Sequence, residues 1–340
     1  MAIERERFPV IETSKCWLLT GVAGFIGSNL LEELLHQNQT VVGIDNFSTG
    51  FRSNLDYVKK AVGDEKWARF TFHEMDIVDT EKVKKVTAGC DYVLHQAALG
   101  SVPRSIKDPL NTHRSNVTGF LSVLDAARIN NVKKFVFASS SSVYGDHPDL
   151  PKKEPYIGMP LSPYAGTKLM DEIYAEIFFK SYQLPYIGLR YFNVFGKRQS
   201  PSGDYAAVIP KWINASISGE DIVINGDGET SRDFCFIDNA VQANLLAALV
   251  SPVGDNTIYN IAYGERNTLN TLYDAIAKSL AKRGFDGRKS KILRSDFRQG
   301  DIRHSEADIS KAKKLLQYAP KYDLFSGIEE AVEWYVKEIT

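Results

Sequence analysis

A chain of 340 residues, 44% hydrophobic and 24% charged, can bury a sizeable core, and its formal net charge of -1 lacks the basic excess of a nucleic-acid or membrane-surface binder. Three cysteines, Cys16, Cys90 and Cys235, lie far apart with no C-x-x-C pair, which excludes a disulfide framework or a cysteine-based zinc site and fits a reducing cytoplasm. The first residues carry no apolar signal-peptide core, and no apolar run reaches the roughly 18 residues of a membrane span, so a soluble cytoplasmic enzyme is expected.

From Cys16 to Phe192, short β-rich runs alternate with longer helical stretches. The runs are 16–20, 40–45, 70–77, 91–98, 134–140 and 185–192; between them FIGSNLLEELLHQ, the stretch 109–130 and SPYAGTKLMDEIYAEIFFKSY read as helices. Strands alternating with helices imply a doubly wound parallel sheet in an α/β fold. After residue 193, loops rich in Gly, Ser and Asp break the rhythm, and helices are expected at 205–217, 239–249, 268–282, 307–316 and 327–338. The division predicted is a dinucleotide-binding Rossmann domain over 1–192 and a smaller mixed α/β substrate domain over 193–340, with some chain crossing back to the first.

The first strand runs straight into Gly21-Val22-Ala23-Gly24-Phe25-Ile26-Gly27, and a helix follows. Gly21 allows the tight turn, Gly24 lets backbone approach a pyrophosphate, and Gly27 permits close helix–strand packing. The anion then meets the helix N-terminus, around Phe25 and Ile26, where unpaired N–H groups and the dipole favour it. The second strand ends in Asp45, 18 residues beyond Gly27, where a carboxylate accepts bonds from ribose hydroxyls and repels a 2′-phosphate. The cofactor predicted is therefore NAD. Asp76 is expected against the adenine, Asn46 and Ile77 beside the two carboxylates, and Gln96-Ala97-Ala98 along the cofactor.

Tyr164-Ala165-Gly166-Thr167-Lys168 places a phenol and an ammonium four residues apart on one face of a helix start. A phenol is a poor base at neutral pH until a neighbouring cation favours its ionised form. Strand 134–140 closes in Ser139-Ser140-Ser141-Ser142, and strand ends of an open parallel sheet point into the ligand crevice. Ser140, 24 residues before Tyr164, is assigned the hydroxyl that bonds the substrate oxygen while Tyr164 exchanges its proton; Ser141 and Ser142 are expected to touch the substrate. The catalytic set read from the residues is Ser140, Tyr164 and Lys168. No metal site is expected.

These motifs, with HQAALGSVPRS, SSSSVYGDHP, LRYFNVFGKRQ, INGDGETSRDFCFID and DFRQGDIRHSEADISKAKKLL, resemble the extended short-chain dehydrogenases acting on nucleotide sugars, and more narrowly bacterial UDP-N-acetylglucosamine 4-epimerases of surface-polysaccharide pathways. The likeness covers about 17–335 and includes the G-x-x-G-x-x-G spacing of that superfamily. It implies transient oxidation of a UDP-sugar at C4 by a retained NAD, with Tyr164 removing the hydroxyl proton, and return of hydride to the opposite face. It implies that Asn193, Lys211, Trp212, Asn225, Arg232, Arg298 and Asp301 hold the UDP, and that Gly100, Ser101 and Arg104 border the sugar. Ser305, small and four places after Asp301, implies room for an N-acetyl group. The resemblance also implies a homodimer through helices around 110–129 and 163–182. Two departures stand at the sugar end: SSSSV in place of an SSST-type string, and Gly166 within Y-x-x-x-K. With SSSSVYG, which also resembles UDP-glucuronate 4-epimerases, they leave UDP-uronic acids open as substrates. Serines follow Ser140 where related dehydratases and decarboxylases use a carboxylate, and the intact Ser, Tyr and Lys argue against a non-catalytic binding module.

Overall fold

The computed structural model describes residues 8–202, 206–249, 254–286, 290–297 and 302–339. The first half alternates β1 (Cys16–Thr20), α1 (Phe25–His36), β2 (Thr40–Asp45), α2 (Arg52–Trp67), β3 (Phe70–Glu74), α3 (Thr80–Thr87) and β4 (Tyr92–His95). There follow α4 (Val102–Lys107), α5 (Pro109–His113), a π turn over Arg114–Thr118, α6 (Gly119–Ile129), β5 (Lys134–Ser140), a 3-10 turn over Ser141–Tyr144, α7 (Pro163–Tyr182) and β6 (Tyr186–Tyr191). The second half holds β7 (Val194–Phe195), α8 (Val208–Ser218), β8 (Ile222–Asn225), β9 (Ser231–Asp233), β10 (Cys235–Phe236), α9 (Ile237–Leu249), β11 (Thr257–Ile261), β12 (Arg266–Thr268), α10 (Leu269–Ala281), β13 (Ile292–Ser295), α11 (Ser310–Leu315) and α12 (Leu324–Ile339).

Seven parallel strands form the main sheet in the order β11-β6-β5-β4-β1-β2-β3. It is the doubly wound α/β sheet that the sequence rhythm predicts. Because side chains alternate along a strand, each strand feeds both faces. Leu18, Ile44, Val93, Phe135 and Phe137 pack on α3, α6 and α7, through Val83, Phe120, Val123 and Phe178. Trp17, Leu19, Val41, Leu94 and Val136 meet α1, α2 and α9 on the other face, through Leu31, Leu34, Val58 and Val241. Burial on both faces is why these strands read as nearly continuous apolar runs.

Three expectations are corrected. Strands expected over 70–77 and 91–98 stop at Glu74 and His95, and the chain beyond turns over the carboxyl edge of the sheet. The stretch 109–130 is not one helix: the π turn separates α5 from α6. The seventh strand, β11, was not apparent from periodicity. It returns from the second half to pair with β6, Ile258 opposite Gly188, and is held by a buried ion pair between Lys134 of β5 and Asp255 at 2.5 Å.

A second buried ion pair ties helix to sheet. Glu172 of α7 accepts two bonds from Arg190 of β6, at 2.9 and 2.7 Å, and one from the Ser139 hydroxyl of β5 at 2.5 Å. Arg190 also stacks its guanidinium over the Tyr144 ring at 4.8 Å and donates to the Glu154 carbonyl at 3.0 Å. Removing one partner of a buried pair strands the other charge in low dielectric. Glu172→Ala is therefore expected to lower unfolding free energy by about 3–5 kcal/mol, read as a shifted denaturant midpoint at constant m-value.

Candidate active site

Strand order reverses between β1 and β4, so the connections leaving their carboxyl ends diverge and leave a crevice between them. Gly21, Gly24, Asp45, Asn46, Asp76, Ile77, Gln96, Ala97 and Ala98 line one cavity there. Ile44, Ser48, Thr49, Met75, Leu99 and Ser115 complete its wall; all but Ile44 lie outside the strands and α-helices, where residue types carry no periodic signal.

The glycine loop is shaped by contacts that a side chain would break. Gly21 has φ +68°, and a Cβ on it would lie 2.8 Å from the Ala97 nitrogen. A Cβ on Gly27 would lie 2.0 Å from the Gly21 carbonyl oxygen, so α1 can approach β1 this closely only with glycine. No side chain caps the N-terminus of α1 at Gly24. Its first-turn amides, at Phe25 and Ile26, are thus left for a ligand. Asp45, 8% exposed, accepts from Ala23 N at 2.9 Å and from Phe47 N at 2.8 Å. Burial raises its carboxyl above the usual range, with those N–H groups opposing. Each oxygen keeps a second acceptor site, so Asp45 can shape the loop and bond a ribose together. These features fit a dinucleotide.

Asp76 pairs with Arg114 at 3.3 Å while its other oxygen accepts from Val78 N. Gln96 belongs to a closed ring: it donates to Asn244 of α9 at 2.9 Å, Asn244 donates to the Tyr191 hydroxyl at 2.7 Å, and that hydroxyl donates to Gln96 at 3.3 Å. The amide is thereby fixed in orientation by β6 and α9.

The residues expected to be catalytic lie on elements that pack together, α7 on β5 and its 3-10 turn. Ser162 caps α7, accepting from Ala165 N at 3.2 Å, with Pro163 in the first helical position; this starts the helix just ahead of Tyr164, which is half-buried. Lys168, one turn on and 2% exposed, donates to the Ala138 carbonyl at 2.8 Å and to Asp171 Oδ2 at 3.2 Å. Ala138 is two residues from Ser140, so the ammonium is anchored on the strand that delivers the hydroxyl. Strand alternation sends Ser139 to Glu172 and leaves Ser140 on the opposite side. Ser140 Oγ accepts from Ser142 N at 3.1 Å and from the Ser142 hydroxyl at 2.9 Å. With its lone pairs so engaged, its own proton remains for a substrate oxygen. Ser141 opens the 3-10 turn beside it.

His95 closes β4 within the field of Lys168. Burial, and then that ammonium, push its imidazole down to about 3, and Nδ1 shares a 2.9 Å bond with Thr20 Oγ1. It stays neutral. Asn116, in the π turn, accepts from Leu99 N at 2.7 Å and donates to Thr167 Oγ1 at 3.1 Å, joining the loop after β4 to the helix of Tyr164. Neither residue has a sequence signal beyond its polarity; an extra residue in a helix leaves no mark on a 3.6-residue pattern.

On the second-half side, β9 brings together two of the residues expected to hold the UDP, Asn193 and Arg232. Asn193, with φ +35°, donates to the Asp233 carbonyl at 3.0 Å. Arg232 donates to the carbonyls of Ser231 at 2.9 Å and Arg303 at 3.2 Å, and Ser305 N donates to Ser231 O at 3.1 Å. Lys211 is exposed on α8, and Asn225 ends β8, accepting from the Ser295 hydroxyl at 2.7 Å. Gly100 and Ser101 follow β4, where Ser101 caps α4 by accepting from Arg104 N at 3.2 Å. Trp212 of α8 is 4% exposed and meets Tyr273 edge-on at 6.5 Å, within the core of the second half. Arg298 and Asp301 lie outside the described residues. No cluster of metal ligands occurs among the described residues, and no helix among them is long and apolar enough to cross a membrane.

Gly27→Ala is expected to reduce the NAD released per chain on denaturation to a small fraction of the wild-type amount. It should also cost about 3 kcal/mol of stability through overpacking, measured in the same preparations by denaturant unfolding.

Comparison with known proteins places this geometry. Residues 17–262 match the NAD dependent epimerase/dehydratase family. A putative UDP-glucose 4-epimerase of Methanocaldococcus jannaschii is 34% identical over 93% of this chain and 97% of its own length. The structure of a UDP-N-acetylglucosamine 4-epimerase from Methanobrevibacter ruminantium, in complex with UDP-N-acetylmuramic acid, superposes with a TM-score of 0.87 at 38% identity, covering 96% of this chain and 99% of that one. A UDP-glucuronic acid 4-epimerase from Bacillus cereus, in complex with UDP-glucuronic acid and NAD, superposes with a TM-score of 0.84 at 30% identity, covering 96% of this chain and 100% of that one.

Proposed function

The chain belongs to the NAD-dependent epimerase/dehydratase family, and from that premise we propose that it is a UDP-sugar 4-epimerase whose preferred pair is UDP-GlcNAc and UDP-GalNAc. The observation that carries the chemistry is the anchoring of Lys168 on Ala138, two residues from the free proton of Ser140, with Tyr164 one turn above on the same helix. Bound NAD would supply the hydride acceptor and donor for the C4 carbon. Tyr164 takes the C4 hydroxyl proton and later returns one. Ser140 donates to the C4 oxygen throughout, holding it near the phenol as its charge changes. Lys168 favours the phenolate by its charge. Asp45, the bare N-terminus of α1 and the ring around Gln96 hold the cofactor. Residues 1–192 would serve it, and 193–340 mainly the UDP-sugar.

Arg232, Asn193, Lys211 and Asn225 are assigned to the UDP, with Arg298 and Asp301; guanidinium groups pair bidentately with phosphate. Gly100, Ser101, Arg104, Ser141 and Ser142 are assigned to the sugar side. The N-acetyl preference is supported by the small Ser305, whose backbone is tied to the strand of Arg232, and by the likeness to a UDP-N-acetylglucosamine 4-epimerase. A UDP-uronic acid is the second reading, supported by the likeness to the UDP-glucuronic acid 4-epimerase and by the SSSSVYG string. A cytoplasmic site of action, supported by free thiols, belongs to the same proposal.

A homodimer is part of it too. Ile106 of α4, Leu110 of α5 and Met170, Ile173 and Ile177 of α7 are exposed, the last three spaced to share one helix face. Ile173→Glu should convert a dimer to a monomer by light scattering; a wild type that is already monomeric would refute it.

The function is tested by incubating the enzyme, without added NAD, with UDP-GlcNAc, UDP-glucose and UDP-glucuronic acid, and separating C4 epimers of unchanged mass. UDP-GlcNAc should give the highest kcat/KM; equal turnover of the plain sugar would refute the role of Ser305. Tyr164→Phe should lower kcat by about 10²–10⁴ while retaining bound NAD.

A further inference from the structure

Lys168 is not the sole buried charge in its pocket. Asp171, three residues on and 0% exposed, lies with Oδ2 at 3.2 Å from the ammonium, while its Oδ1 is buried with no hydrogen-bond partner. An ionised carboxylate at that depth would have both oxygens bonded if its role were only to satisfy a packed helix. Here one oxygen is committed to Lys168 and the other to nothing.

We infer that Asp171 is a positioning residue for the epimerase chemistry, holding the Lys168 ammonium against β5 and cancelling part of its charge, so that it governs how strongly Lys168 favours the phenolate of Tyr164. This rests on the assignment of Tyr164 and Lys168 to catalysis. Lys168 has three N–H donors, of which Ala138 O and Asp171 Oδ2 take two. The pair fixes where the third can point. The carboxylate also sets the net charge seen from the phenol: ionised, it offsets the ammonium; protonated, it leaves the full positive field.

Both states are accessible near neutrality. Burial pushes the Asp171 carboxyl up to about 7, Lys168 opposes that shift, and Glu172 adds to it. Of the other charges on elements packed against α7, Arg114 of the π turn pairs with Asp76 at 3.3 Å, Lys134 of β5 pairs with Asp255 at 2.5 Å, and Arg104 of α4 is half-buried. Glu172 is held by Arg190 of β6 and Ser139 of β5. His95 of β4 is neutral. Asp125 and Arg128 of α6 pair with each other at 2.7 Å, and Lys107 of α4 and His113 of α5 are exposed. Below its midpoint Asp171 is a neutral acid and Lys168 acts in full; above it, ionisation of Asp171 opposes ionisation of the phenol. Removing the carboxylate charge should therefore make the phenolate easier to form.

The test compares wild type, Asp171→Asn, Asp171→Ala, Tyr164→Phe and the Asp171→Asn/Tyr164→Phe double variant, each as NAD-bound enzyme. Two quantities are read against pH: kcat with whichever UDP-sugar the wild type turns over, and near-ultraviolet phenolate absorbance, taken as the difference between each background with and without Tyr164. In Asp171→Asn, the acid limb of kcat and the Tyr164 absorbance midpoint should both move to lower pH by about one unit. A midpoint that stays in place, or moves upward, overturns the inference. Should Asp171→Asn fail to fold, Asp171→Ala, with its own Tyr164→Phe partner, carries the same test; failure of both to fold marks Asp171 as a packing residue and also overturns it. Full turnover by Tyr164→Phe would instead sink the catalytic assignment, with the absorbance comparison still deciding the role of Asp171.

Discussion

A charge taken out of water must be compensated where it lies, and helix α7 is placed by that requirement. Adjacent acids on one turn, Asp171 and Glu172, face two buried cations, Lys168 of the same helix and Arg190 of β6. Desolvating each ion costs several kcal/mol, and only close, well-directed partners recover it. Glu172 is therefore locked to β6 and β5, and Lys168 to the Ala138 carbonyl. Sliding α7 by one residue would break both sets together. Apolar packing through Ala175 and Phe178 gives the helix affinity for the sheet, but the ion pairs give it register. Register is what sets Lys168, one turn after Tyr164, against the end of β5.

The cofactor side is fixed by a different device, steric rather than electrostatic. Gly27 lets α1 come against the Gly21 carbonyl, and Gly21 in turn lies against Ala97 at the end of β4. The two strands flanking the crevice are thus joined at their carboxyl ends by backbone contact. The Gln96–Asn244–Tyr191 ring extends that joint to β6 and α9. Both devices meet at β4, where His95 lies within reach of Lys168 and Gln96 faces the cavity. The groups proposed to react and the cofactor cradle are consequently held by one continuous set of contacts.

What could be read from the sequence follows from these mechanisms. Most strands of the first half were legible because burial on both faces makes them largely apolar, while the edge strand β3, none of whose residues is buried, showed only in its phenylalanines Phe70 and Phe72. The glycine loop and Tyr164–Lys168 were legible because each needs particular residue types at fixed spacing. Asp171 was not, because an acid beside a lysine on a helix resembles a solvated pair until burial is known. Asn116 was hidden by the π turn, which inserts a residue without disturbing composition. Strand β11 was missed because TIYNI follows an irregular stretch and its partner β6 is some seventy residues earlier, as the Ile258–Gly188 pairing shows. The burial of Trp212 was not legible either, because it reached the expected UDP set through the resemblance and not through a pattern in its own segment.

The second half resists sequence reading for a reason that bears on specificity. Its short strands pair two at a time, β9 with β12 and β8 with β13, and Ser231 draws in residues 303–305 through backbone bonds. Backbone hydrogen bonds do not depend on side-chain type, so such a framework imposes little pattern on the sequence. It leaves a side chain such as Ser305, tied in through its backbone, able to vary without loss of the scaffold. The groups proposed to handle protons, by contrast, sit on elements pinned by buried charge, where substitution is costly. Chemistry on a constrained helix and recognition on a permissive backbone frame allow one reaction to serve several related sugars. The spread of substrates named among the similar proteins, from UDP-glucose to UDP-glucuronic acid, accords with that division.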